Sequence, residues 1–176
     1  MKVFHSLLVF ITLLLNIGCI AEKRESIPKD LKEVAVVRVV DGDTIVVSMD
    51  SVEEKVRLIG IDTPESRLNR RAQLQERELN RDVESIVDLG KKAKEFTSSL
   101  LRKGDRVYLE FDVQQRDKYG RLLAYVYLPD GRMVNREIIC NGYAIPLTIP
   151  PNVKHEKEFT ECFQRARREK KGLWNE

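Results

Sequence analysis

Val34-Ala35-Val36-Val37-Arg38-Val39-Val40-Asp41-Gly42-Asp43-Thr44-Ile45-Val46-Val47-Ser48-Met49 is the stretch on which the fold turns. Its β-branched runs have strand character and Asp41-Gly42 between them is a turn signal, so the simplest structure is a β-hairpin. Working outward, residues 55–61 follow a polar turn at 50–54 and read as a third strand, which Thr63-Pro64 stops. Residues 106–113, where Val107, Leu109 and Phe111 alternate, and residues 122–128 supply two more. Gly90 precedes a helix over 91–103, in which Ala93, Phe96, Leu100 and Leu101 share a face and which Gly104 closes. Residues 133–141 form a short helix stopped by Gly142. A last helix begins near Asn152 or Lys154 and turns Phe159, Phe163 and Ala166 inward, with Trp174 as a further core anchor. Five short strands interleaved with about three helices make an α+β domain, and pairings of such long range suggest a small closed barrel.

At 42% hydrophobic and 34% charged, the 176-residue chain has material for one core and lacks the compositional mark of disorder. A formal net charge of +3 permits a nucleic-acid partner without arguing for one. Lys2 precedes an uninterrupted apolar run at residues 7–15, too short to span a bilayer and suited to an export signal. Cleavage has two readings: Gly18-Cys19 fits lipidation of Cys19, the favoured one, and Cys19-Ile20-Ala21 fits ordinary signal peptidase. The chain then divides into an export signal of lipoprotein type at 1–18, a polar tether at 19–33 carrying Pro28, and a folded domain at 34–176. In an exported chain Cys140 and Cys162 are free to form a disulfide; separate packing on two helices is an equal alternative.

Asp41 and Asp43 stand two apart around a glycine, so an extended backbone puts both carboxylates on one face. Alone, that is an ordinary hairpin turn. Arg57 is harder to explain as scaffold, because its neighbours Val56, Leu58, Ile59 and Ile61 read as buried, and a buried cation needs an anion. Asp62 and Glu65 flank Thr63-Pro64, where a turn directs both carboxylates into one space and leaves the Thr63 carbonyl as a further oxygen ligand for a hard cation. Arg57 and Asp62 are five apart, on opposite faces of a regular strand, so a bend near Gly60 is required to join them. Arg116-Asp117-Lys118-Tyr119-Gly120-Arg121 adds three cations and a phenol in a loop. Carboxylates for a cation beside arginines for phosphate oxygens point to phosphodiester chemistry.

Asp41-Gly42-Asp43-Thr44, Arg57-Leu58, Asp62-Thr63-Pro64-Glu65, Asp117-Lys118-Tyr119-Gly120-Arg121 and Met133-Val134-Asn135 occur in the order seen in staphylococcal nuclease, and the chain resembles that thermonuclease family from about Val36 to Trp174. The resemblance implies a five-stranded OB-type barrel with three helices and Ca2+-dependent hydrolysis of DNA and RNA leaving 3′-phosphates. It implies Asp43 and Asp62 as carboxylate ligands of calcium, Thr63 as a carbonyl ligand, and Glu65 as the group that activates water. Arg57 and Arg121 would stabilise the reacting phosphate, Lys118 and Tyr119 would line the nucleotide, and Asp41 would support the ligands. The expected partners are DNA and RNA, with the membrane held through a lipid anchor at Cys19 and the protein monomeric.

Two stretches depart from the family pattern. Residues 66–89 are longer than it and read as an exposed charged excursion, helical in part, with substrate or partner contact as the alternative; residues 145–151 lack the tyrosines found there in the family. His155 reads as a capping or surface residue, and the basic run at 165–171 as a solvated helix face. The competing function is a catalytically idle OB-type module that binds single-stranded nucleic acid.

Overall fold

β-Branched residues dominate β1 (Lys32–Asp41) and β2 (Thr44–Met49), which form the expected antiparallel hairpin. In this computed structural model residues 31–79 and 82–175 are described; the export segment, Cys19 and nearly all of the tether lie outside them. β3 (Val52–Leu58) pairs with β2, and β5 (Arg106–Glu110) pairs with both β1 and β6 (Leu122–Tyr127). A parallel pairing of β3 with β6, through Val56–Leu122, Arg57–Leu123 and Leu58–Ala124, closes the barrel in the order β1-β2-β3-β6-β5. Val36, Ile45, Val47, Val56, Leu58, Val107 and Leu109 fill its interior. Closure leaves no barrel edge open to another chain.

The third strand is not continuous to residue 61. Gly60 adopts φ +80, a left-handed conformation that lets the chain turn, and the Phe159 ring lies 2.6 Å from where its Cβ would stand. Gly60–Asp62 becomes a separate strand, β4, that pairs outside the barrel with β7 (Ile145–Leu147). Asn135, fully buried, holds the bend: its amide donates to the Ile59 carbonyl at 2.9 Å, and its carbonyl accepts from the Val126 N–H at 2.9 Å.

The described residues hold four α-helices rather than about three. α1 (Arg70–Leu79) falls in the stretch expected to be an exposed excursion, helical in part. α2 (Val83–Leu100) begins before Gly90, where Asp82 caps it by accepting from the Ser85 N–H at 2.8 Å, and runs straight through that glycine. α3 (Val134–Cys140) and α4 (Glu156–Arg168) are joined by a Cys140–Cys162 disulfide, which resolves the open cysteine alternative in favour of pairing. A 3-10 turn, Gly172–Trp174, brings Trp174 edge-on to Phe163 with ring centroids 5.6 Å apart, though the indole is only partly buried.

Candidate active site

Asp41 ends β1 and Asp43 lies in the turn before β2; α2 fixes that turn through the Thr97 hydroxyl, which donates to the Gly42 carbonyl at 2.7 Å. A Cβ on Gly42 would meet the Thr63 hydroxyl at 2.7 Å, so the glycine lets the two acidic segments lie against each other. The contact is hydrogen-bonded. Asp43 Oδ2 accepts from the N–H and the hydroxyl of Thr63, both at 3.0 Å, while Asp43 Oδ1 accepts from the Thr44 hydroxyl at 3.0 Å.

Arg57 joins these acids from β3. Its Nη1 donates to the carbonyls of Leu58 (2.9 Å) and Ile61 (2.8 Å), and its Nη2 stands 2.9 Å from Asp62 Oδ1 and 3.1 Å from Asp43 Oδ2. The bend at Gly60 makes this possible, as the residue spacing requires. Two carbonyls and two carboxylates also explain how an arginine resides in an apolar strand.

Glu65 follows the turn at Pro64. Burial pushes its carboxyl above the ordinary glutamate value; a hydrogen bond from Asn69 opposes this, and the charges of Asp41, Asp43 and Asp62 push it up further. Asp41 is also raised, chiefly by burial, against hydrogen bonds from Gly42 and Ser66. Arg121, at the far side of the β5–β6 loop, donates from Nε to Asp117 Oδ2 at 2.7 Å. Asp117 Oδ1 also accepts from the N–H groups of Tyr119 and Arg121, both at 2.9 Å, so a single acid organises the loop. The Tyr119 ring is largely exposed, with the Lys118 ammonium 5.1 Å and the Arg121 guanidinium 5.7 Å from its centroid.

One cleft of about 870 Å³ is lined by Asp41, Asp43, Arg57, Asp62, Glu65, Lys118, Tyr119 and Arg121. Thr63 is buried and does not line it. His155 stands at the N-cap position of α4, though its side chain makes no capping bond and is half-buried rather than on the surface: its ring packs edge-on to Tyr125, and Nε2 lies 3.1 Å from Glu110 Oε2, away from the cleft.

Among the described residues no three His, Cys, Asp or Glu side chains converge as a ready-made metal cage. The oxygen set is instead two carboxylates and a main-chain carbonyl. Among the described residues Asp43 Oδ1 carries one hydrogen bond and each Asp62 oxygen meets one arginine, while the Thr63 carbonyl, buried outside the cleft lining, accepts from Gln75 at 3.3 Å. Each atom therefore keeps lone-pair capacity, and an all-oxygen set of this kind suits a hard cation completed by water.

The family model described as Staphylococcal nuclease homologue matches residues 55–176. The chain belongs to that family. The Thermonuclease of Staphylococcus hyicus is 36% identical over 140 residues, covering 80% of this chain and 74% of the relative. That of Staphylococcus intermedius is 38% identical over 137 residues, covering 78% and 73%. Endonuclease YncB of Bacillus subtilis (strain 168) is 35% identical over 149 residues, covering 84% and 64%.

In this staphylococcal nuclease homologue the cleft also contains residues of the extended segment: Arg67 and Arg71, covered by the alternative reading of substrate contact, and Asn69, which sequence reasoning missed; Arg71 Nη2 donates to Asp62 Oδ2 at 3.0 Å. Gln75 of α1 is buried against residues 63–65. Asn69 was the available signal: as an Asn immediately before the helix it accepts from the Ala72 N–H at 2.9 Å, an N-cap by residue type and position.

Proposed function

We propose that the chain is a calcium-dependent, sugar-nonspecific nuclease that hydrolyses the phosphodiester bonds of DNA and RNA and leaves 3′-phosphate ends. The observation that carries this is the junction of Arg57 with Asp43 and Asp62 in the cleft that also holds Glu65 and Arg121. Calcium bound through Asp43, Asp62 and the Thr63 carbonyl would supply positive charge to the phosphate oxygens and to the attacking water. Glu65 takes the proton of that water, and its raised affinity for a proton, due to burial and neighbouring acids, makes it the stronger base. The water oxygen bonds to phosphorus, the bond to the 5′ oxygen breaks, and that oxygen leaves as an alcohol after taking a proton from solvent water, to which Glu65 returns its own. Arg57 and Arg121 stabilise the charge that accumulates on the phosphate oxygens. Asp41 supports the ligand turn, while Lys118 and Tyr119 hold the flanking nucleotide.

Hydrolysis of single-stranded DNA and of RNA, with calcium and then with a chelator, tests this. Cleavage with calcium and its loss in chelator are expected. Full activity in chelator rejects the calcium requirement, and binding without cleavage under any metal favours the idle OB-type module. We further propose export through residues 1–18 with a lipid at Cys19, motivated by the Gly18-Cys19 pair. Mass measurement of the mature terminus checks it: an acylated Cys19 is expected, and a free terminus at Glu22 rejects it.

A further inference from the structure

We infer that Gln75 and Asn69 of the extended 66–89 segment are positioning residues for Glu65, so that α1 is a working wall of the active site. The inference rests on the role given to Glu65 above. Pro64 has no N–H, so the backbone on either side of it offers the Thr63 carbonyl and the Glu65 N–H as groups to be held. The Gln75 side-chain amide meets both: Oε1 accepts from the Glu65 N–H at 3.0 Å, and Nε2 donates to the Thr63 carbonyl at 3.3 Å. A side-chain amide here pairs with residues i and i+2 as a neighbouring strand would. Gln75 is 4% exposed, so water does not compete for these bonds.

Asn69 acts on the other end of the same residue. Its Nδ2 donates to Glu65 Oε2 at 2.8 Å, while its Oδ1 caps α1 through the Ala72 N–H. Asn69, Ala72 and Gln75 recur every three residues and share the helix face turned to the site, where Ala72 is fully buried. One short helix therefore contacts both the backbone and the carboxylate of Glu65. The wall is built from polar side chains rather than apolar ones, which is why the segment resembles a solvated loop in sequence.

The test uses three variants, Gln75→Leu, Gln75→Glu and Asn69→Asp, alone and combined with Glu65→Gln. Leucine keeps volume and helix propensity but removes both hydrogen bonds; glutamate keeps the acceptor for Glu65; aspartate keeps the cap and removes the donor to Glu65. The readouts are kcat and KM for single-stranded DNA with calcium, single-turnover rates for the Glu65→Gln backgrounds, thermal midpoints, and hydrogen exchange of the Glu65 amide. For Gln75→Leu a kcat loss of about 10²-fold is expected with KM within about twofold, since misplacement of a catalytic group by about 1 Å costs that much. Gln75→Glu recovers part of it, and the Glu65 amide exchanges faster in Gln75→Leu.

In the Glu65→Gln background the same changes cost less than about twofold, because the group they orient is gone. Full additivity in that background, a loss confined to KM, or unchanged kcat in an active enzyme overturns the inference alone. A wild-type protein inactive with calcium overturns the nuclease assignment instead. If Gln75→Leu does not fold, Asn69→Asp, at an exposed site with its cap intact, decides by the same criteria.

Discussion

Gly90→Ala should stabilise an isolated helix and yet cripple this protein. Gly90 sits inside α2, where alanine is ordinarily favoured by about 1 kcal/mol. Its missing side chain is occupied by backbone: an added Cβ would stand 2.2 Å from the Glu65 carbonyl oxygen, 2.3 Å from its carbon and 2.5 Å from the Ser66 nitrogen. No side-chain rotation relieves a clash with main chain. Restoring an ordinary 3.4 Å contact requires the 65–66 segment to move by about 1.2 Å from α2. That segment carries Glu65, and a displacement of about 1 Å at a catalytic group costs about 10²-fold in rate. The expected result is a helical protein, by circular dichroism, whose kcat on single-stranded DNA falls about 10²-fold while the helix itself persists. A Gly90→Ala protein with kcat within about threefold of wild type, or with a raised thermal midpoint, would refute the claim that this contact places Glu65.

Arg57→Lys keeps the charge but loses the fork that spans Leu58, Ile61, Asp62 and Asp43, so kcat should fall by at least about 10²-fold in steady-state hydrolysis, equivalent to about 3 kcal/mol. Burial alone would raise the Glu110 carboxyl, but hydrogen bonds from Lys154, His155 and Tyr127 override it and hold the group below its ordinary value. The stability this contributes is present above about pH 4.5 and is lost as pH falls through the lowered folded value, so Glu110→Gln should cost about 2 kcal/mol in urea melts at pH 7 and converge with wild type in acid. Replacing Cys140 and Cys162 by serine opens a cross-link between residues 22 apart and should cost about 3 kcal/mol by the same melts. Calcium and a nucleotide bearing a 3′-phosphate should each tighten the other's binding to a Glu65→Gln protein by the same factor in calorimetry; independent binding would contradict a shared site.

The barrel was legible because its signals are local: β-branched runs flank Asp41-Gly42, and Val107 and Leu109 alternate inward. The bend at Gly60 was legible by contradiction, since Arg57 and Asp62 belong together chemically and a regular strand would separate them. Helix within 66–89 was legible but its packing against the site was not, because hydrophobic periodicity reports apolar burial, and the face of α1 that meets the site uses Ala72 and a hydrogen-bonded amide, Gln75. Gly90 misled for a related reason. A glycine reads as a helix stop from propensity alone, whereas here it lets another backbone approach, a tertiary demand with no local trace. β7 pairs over only three residues and contains Pro146, so its strand character comes from its partner β4.

The charges of the cleft explain why acids and arginines are interleaved rather than segregated. Five acids, Asp41, Asp43, Asp62, Glu65 and Asp117, line the cleft with six cations, Lys55, Arg57, Arg67, Arg71, Lys118 and Arg121; Arg57 and Arg71 lie against Asp43 and Asp62, and Arg121 is engaged by Asp117. A phosphodiester adds another negative charge, so the acids repel what the arginines attract. Protonating the acids would remove that conflict but would also remove the base at Glu65. A divalent cation held by the carboxylates would offset the repulsion while leaving Glu65 able to accept a proton. Of these two ways to relieve the repulsion, only the second leaves Glu65 free to act as the proposed base, so the proposed metal and the proposed role of Glu65 are mutually consistent.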